Sequence, residues 1–326
     1  MLPKADTQGI IMNRRQLILS STALGLSRLA TAQSTTIPSV GTPPGRQGEA
    51  GTPQVSSPGS PLPVPATGSI PVAFLISDGA VVIDFCGPWE VFESARVVGR
   101  RDEAFSLYTV GETTRAITAS GGMKIEPNYN FQNAPMPKVL VIPAQSGAGA
   151  TALDWIRQVT NHTDLTMSVC TGAYVLARTG LLRGQSATTH HGSYADFAMQ
   201  FPDVRMVRGA RFVEAGNLAT AGGLSSGIDL SLRVVERYFG RDVATQTAYY
   251  MEYQGVGWMD PNSNQPYRTR RTSTSAHPVC AVCDMDVDPA TAPRSVYREK
   301  TYYFCMPAHK VAFDKKPEQF LASDEG

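Results

Sequence analysis

The chain has 326 residues, 42% of them hydrophobic and 17% charged, with a formal net charge of +1. That balance provides no basic footprint for nucleic acid, so DNA and RNA are not expected partners. Five cysteines, an odd number, make a poor disulfide framework, and their placement points instead to one reactive thiol and a metal cluster.

The first apolar stretch opens with Met12-Asn13-Arg14-Arg15 and runs over Leu17–Leu29 to Ala30-Thr31-Ala32. A twin arginine, a modest apolar region and a small-residue cleavage site form a twin-arginine export signal over residues 1–32, with Met12 the better start. The stretch is too short and polar for a membrane span, and no cysteine near the cleavage site offers a lipid anchor. A mature chain starting at Gln33, periplasmic or secreted, is expected. Losing Lys4, Arg14, Arg15, Arg28 and Asp6 takes the net charge from +1 to about −2, still near neutral. Residues 33–69, mostly Pro, Ser, Thr and Gly, bury too little apolar surface to offset ordering entropy and read as a disordered linker.

Residues 70–254 alternate strand and helix signals, which predicts an α/β domain with a largely parallel sheet. Strands are expected at Ile70–Ser77, Phe105–Gly111, Lys138–Ala144 and Asp164–Val169, and a hairpin within Val204–Gly223 around Glu214–Asn217. Helices are expected at Pro88–Val98 (proline near the start), Thr151–Thr160, Ser225–Phe239 and Val243–Tyr253. Residues 255–276 read as a second polar connection. Residues 277–326 form a module too small to fold on its hydrophobic core alone.

Met167–Gly172 reads as a strand, a sharp turn and a helix with Cys170 at the corner. Such an elbow exposes the sulfur at a helix N-terminus, where backbone N–H groups favour thiolate. Asp84, in an apolar run just before the expected helix, is the candidate acid/base; an N-cap or turn aspartate is the plainer reading. In the C-terminal module, Cys280 and Cys283, then 21 residues, then Cys305 and His309 make a tetrahedral S₃N set, the usual pattern of structural zinc. His277 is an alternative fourth ligand.

With Val72–Leu75, Asp84, Gly87–Phe92, Ser168–Ala173, Leu181–Gly184, Ala187–His190 and Ser226–Leu230, the chain resembles the ThiJ/PfpI superfamily, in particular its isonitrile hydratase-like branch, over about 70–254. The resemblance implies a class I glutamine amidotransferase-like, flavodoxin-like sandwich with a nucleophile elbow. It also implies a Cys170 nucleophile with Asp84 and the Thr171 hydroxyl beside it, a small-molecule substrate, no cofactor for the thiol chemistry, and a homodimer. His190, within Thr188-Thr189-His190, and Gly87 line the expected substrate pocket. So does Ala144, where relatives carry a Gly-Gly turn. The protease-like members place histidine directly after the cysteine; Thr171 stands there, against peptide hydrolysis. Cys86, two residues past Asp84, is a possible disulfide partner of Cys170, with inert packing the plainer reading.

With Val282–Met285, Val287–Pro289, Tyr302–Cys305 and Phe313–Leu321, the last module resembles the YHS domain and the related TRASH motif. Its last cysteine falls on His309, and Cys280 is an additional thiol, leaving zinc, copper(I) or another heavy metal open. Two other functions fit the same residues: a ligand-sensing domain like that of AraC-type regulators, and a metal- or redox-handling protein in which Cys170 answers oxidants.

Overall fold

A computed structural model describes residues 59–321, apart from 270, 275 and the side chain of 319. The expected export signal and most of the expected linker lie outside the described residues. Strand β1 (Ile70–Leu75) shows why a sheet forms: Val72 and Phe74 face one apolar cluster, Ala73 and Leu75 the other. Side chains alternate across a strand, so burial of both faces makes the run continuously apolar. The same alternation sets Val139 and Val141 against Leu140 and Ile142 in β6 (Val139–Ile142).

Seven strands form the main sheet, in the order β10-β11-β7-β6-β1-β2-β5. The others are β2 (Phe105–Gly111), β5 (Tyr129–Asn130), β7 (Leu165–Ser168), β10 (Phe212–Ala215) and β11 (Leu218–Ala221). All pairs are parallel except the β10–β11 hairpin. Short strands β3 (Ile117–Thr118) and β4 (Lys124–Ile125) pair with each other, as do β8 (Ser186–Ala187) and β9 (Arg205–Met206). On one face pack α1 (Val82–Ser94), α5 (Ser226–Phe239) and α6 (Arg241–Tyr250); on the other pack α2 (Ala150–Thr160) and α3 (Gly172–Arg178). A further helix, α4 (Tyr194–Gln200), follows β8. This is the expected α/β architecture.

Three expectations need correction. Helix α1 starts at Val82, six residues before Pro88, which lies inside it. The first turn is capped from afar, the Val82 N–H donating to Ser120 Oγ at 3.0 Å, so no local signal marks it. Asp84 is therefore in the first helical turn. Second, residues 59–69 are pinned to the domain: the Leu62 N–H donates to the Arg237 carbonyl (2.8 Å), Arg237 Nε donates to the Ser60 carbonyl (3.0 Å), and Leu62 is buried. Third, the 255–276 connection is packed down. It buries Trp258 in the main core, accepts the Arg211 N–H at Pro261 (2.6 Å) and stacks Tyr267 on His191.

The C-terminal segment forms a hairpin, β12 (Arg294–Tyr297) and β13 (Lys300–Tyr303), then helices α7 (Pro307–Lys315) and α8 (Pro317–Leu321). Phe304, Phe313 and Phe320 are its fully buried apolar side chains, packed with Cys280, Val282 and Cys283. Ala195 and Met199 of α4 cover this cluster.

Candidate active site

The chain turns sharply after β7. Cys170 takes a left-handed φ of +58°, a conformation that costs a non-glycine residue roughly 1–3 kcal/mol. The surroundings over-determine it. Its N–H donates to the Gly222 carbonyl at 2.9 Å, its carbonyl accepts the Thr189 hydroxyl at 2.9 Å, and the Gly172 N–H closes onto the Val169 carbonyl at 2.9 Å. Gly172 is required here, because a Cβ would lie 2.2 Å from the Ile142 carbonyl oxygen.

Asp84 reaches the corner from α1. Its Oδ2 accepts the Ala144 N–H at 3.1 Å, and the carboxyl interacts with the Cys170 thiol. Oδ1 is buried with no hydrogen-bond partner among the described residues. Burial pushes this carboxyl up to about 7, against the lowering pull of the Ala144 N–H and the Cys170 thiol. Cys170 itself is only 7% exposed. Burial, then the neighbouring Asp84 charge, push its thiol up to about 11, while the Leu224 and Thr171 N–H groups and the Thr171 hydroxyl pull it down. The expected resting thiolate is thus corrected. Desolvation outweighs the donors at the start of the seven-residue α3, and the proton stays on sulfur.

Cys170, Asp84, Thr171 and Ala144 therefore converge. The His190 ring lies against the Cα of Gly223, next to the residue whose N–H bonds the sulfur. Its Nδ1 accepts the Gly192 N–H at 3.1 Å, which leaves the ring hydrogen on Nε2. Burial, then His191, push His190 down to about 4, so it is neutral. Gly87, one turn after Asp84 on α1, packs at the crossing of α1 and α5 against Ile228. Cys86 is exposed; two residues from Asp84 on a helix, it points to the opposite side, and both Cys86 and Cys170 are free. No local signal marks the Leu224 N–H, because the left-handed φ of +44° that presents it belongs to a leucine.

A second constellation lies in the C-terminal module. The ligand atoms of Cys280, Cys283, Cys305 and His309 are all within 4.8 Å of one another. Cys305 Sγ is 3.3 Å from His309 Nδ1, Cys283 Sγ 3.5 Å from Cys305 Sγ, and Cys280 Sγ 3.5 Å from His309 Nδ1. A tetrahedral ion with metal–sulfur bonds of about 2.3 Å and metal–nitrogen bonds of about 2.0 Å sets its ligands roughly 3.5–3.8 Å apart, so the donors fit. Backbone N–H groups of Val282 and Cys305 point at Cys280, and that of Met285 at Cys283. His277 is exposed and outside the cluster.

The model of the DJ-1/PfpI family matches residues 71–237, the span that carries both Asp84 and Cys170. The chain belongs to this family. An isonitrile hydratase from Pseudomonas putida is 30% identical over 200 residues, covering 60% of this chain and 83% of the relative. The HTH-type transcriptional regulator GbdR of Pseudomonas aeruginosa is 23% identical over 189 residues, and the match spans 57% of this chain but only 51% of the regulator. Among solved structures, a ThiJ/PfpI family protein from Pseudomonas syringae is 27% identical with a TM-score of 0.52, covering 59% of this chain and 78% of that one. No helix among the described residues is long and apolar enough to cross a membrane.

Proposed function

We propose that the DJ-1/PfpI domain is a thiol-dependent hydro-lyase that adds water to a small isonitrile-like substrate, with Cys170 as nucleophile and Asp84 as acid/base. The observation that carries this reading is a buried carboxyl, poised near neutrality, against the sulfur at the elbow. A catalytic acid/base works best with a pKa near the operating pH. The thiol stands at about 11 and the carboxyl at about 7, so full proton transfer before attack is uphill. Attack therefore runs with proton transfer. Asp84 takes the thiol proton as sulfur bonds to the terminal carbon of R–N≡C, then returns it to that carbon, giving the thioimidate R–N=CH–S–Cys170. Water, deprotonated by Asp84, adds to the carbon and Asp84 passes that proton to nitrogen; the remaining hydroxyl proton goes to sulfur as the C=O forms and the C–S bond breaks, and R–NH–CHO leaves. The Leu224 and Thr171 donors support the developing sulfur charge.

The identity of the P. putida relative supports this substrate class, and the 23% relationship to a regulator supports the rival of a domain that binds ligand without turning it over. Incubation of the full chain with small isonitriles separates them. N-formamide should accumulate, stop in Cys170→Ser and fall at least about 100-fold in Asp84→Asn. Tight binding without product, unaffected by both substitutions, would establish the rival.

The C-terminal module belongs to the reading as a YHS-like structural metal site. Cys280, Cys283, Cys305 and His309 would hold the ion, most simply zinc, which supplies folding energy to a core of three phenylalanines. Export behind the 1–32 signal and homodimerisation through the α/β domain complete it. A mature N-terminus at Gln33 and a dimeric mass in solution check these two.

A further inference from the structure

The metal knuckle and the thiol site meet at one glycine. Gly192 is buried with its Cα against Cys283: a Cβ there would lie 2.5 Å from the Cys283 carbonyl oxygen and 3.2 Å from its Cβ. The backbone of a ligand-bearing residue therefore rests on Gly192 with no room for a methyl group. The Gly192 N–H is in turn the donor to His190 Nδ1 at 3.1 Å, and the Ser193 N–H returns to the His190 carbonyl at 2.8 Å. The His190 ring stacks on His191 at 4.3 Å, and His191 on Tyr267 at 5.2 Å, so rotation about this turn is restrained from the far side. Beyond His190 lies Gly223, whose Cα offers the ring no clearance (a Cβ would sit 2.5 Å from His190 Cδ2). Leu224 follows directly, donating its N–H to the Cys170 sulfur, and Thr189, preceding His190, holds the Cys170 carbonyl.

We propose that Gly192 is a positioning residue through which the metal-loaded Cys280–Cys283 knuckle fixes the His190 ring and the Leu224 amide beside Cys170, making thiol reactivity dependent on metal occupancy. The inference rests on the reading of Cys170 as the reactive thiol but not on its substrate. A loaded knuckle holds the Cys283 carbonyl still. An emptied one sets three close thiols and an imidazole free to separate, and Gly192 has no gap in which to absorb the movement. Its N–H then leaves His190 Nδ1, and the ring loses the bond that fixes its tautomer.

The test uses the full chain with ¹⁵N-labelled histidine, reconstituted with zinc(II) and then stripped by a chelator, metal content being followed by native mass spectrometry. Two readouts need no isonitrile: the His190 tautomer by long-range ¹H–¹⁵N correlation, and the rate of Cys170 alkylation by iodoacetamide. The zinc form should show His190 as the Nε2–H tautomer. Chelation should mix its tautomers and change the Cys170 alkylation rate roughly fivefold or more. Gly192→Ala should reproduce both changes with zinc still bound. If that variant does not fold, His309→Gln, which leaves the Gly192–Cys283 contact in place, lowers zinc occupancy and serves instead. Loss of zinc with the His190 tautomer and the alkylation rate both unchanged overturns the coupling. Absence of isonitrile turnover with both readouts responding refutes the substrate class and leaves the coupling standing.

Discussion

Asp84→Asn should make the protein more stable at pH 8 than the wild type, by an amount that shrinks to somewhat over a third at pH 5 and vanishes only near pH 3.5. The Asp84 carboxyl stands at about 7 in the folded chain against an ordinary value of 3.8, so between these pH values the folded state binds a proton that the unfolded state has released. Stability contributed this way is full below the unfolded value and is lost as pH rises through the folded one. The loss approaches roughly 4 kcal/mol above pH 8, about 1.4 kcal/mol per pH unit of separation. Asparagine keeps an acceptor for the Ala144 N–H and never ionises. The difference in Tm, variant minus wild type, should thus grow from near zero at pH 3.5, through somewhat over a third of its full size at pH 5, to an upper limit of roughly 8–16 °C at pH 8. His190 contributes with the opposite sign: held at about 4 against 6.5, it favours the folded state at high pH, and that term is lost as pH falls toward 4. It is common to both proteins and cancels in the difference. The Cys170 thiol enters only above its ordinary value of 9, so scans in zinc-containing buffer should stop at pH 8.5. A difference that stays flat between pH 5 and 8.5 would refute the assignment of Asp84 as a buried, near-neutral carboxyl.

Gly172→Ala should cost at least about 3 kcal/mol in urea unfolding or abolish soluble expression, since its Cβ would meet the Ile142 carbonyl, which is backbone and cannot swing away. Arg211→Met should cost about 3–5 kcal/mol, because it leaves the buried Asp229 carboxylate, now bonded by Arg211 Nε at 2.6 Å, with only the Tyr253 hydroxyl. Native mass spectrometry should find one metal ion per chain. Its removal should expose the β12–β13 hairpin and α7 to protease while the α/β core survives, and Cys305→Ser should behave like the stripped protein.

The parts of the fold written in local patterns were legible. The doubly buried runs at Phe74, Leu140 and Met167 are apolar because both faces are covered, and the Gly216-Asn217 turn marks its hairpin. Cys170 at its corner and the four metal donors could be picked out for the same reason: close spacing along the chain carries their geometry. What escaped depends on partners far away in sequence. The start of α1 is fixed by Ser120, thirty-eight residues on. Residues 59–62 gain order from Arg237 and Glu214, and the 255–276 connection from Trp258 burial and the Tyr267 stack. An elbow motif specifies donors but not how much water the folded site excludes, so the protonation state of Cys170 is not legible in it.

That exclusion of water also bears on what the site can take in. The same burial raises Asp84, raises Cys170 and lowers His190, so near pH 7 the group consists of a neutral thiol, a neutral imidazole and a carboxyl about half ionised. Among the described residues, the groups that perturb the Asp84 carboxyl and the Cys170 thiol include no cation. An anionic substrate would therefore meet the Asp84 charge without compensation, a serious penalty in a dry site. A small, uncharged electrophile meets none, and its carbon can accept from Asp84 the proton that sulfur gave up. An isonitrile has this character: it is uncharged overall, and its terminal carbon, which carries a lone pair, becomes more strongly basic as sulfur attacks. The proton inventory thus fits a small, uncharged electrophile, the class to which the proposed isonitrile substrate belongs.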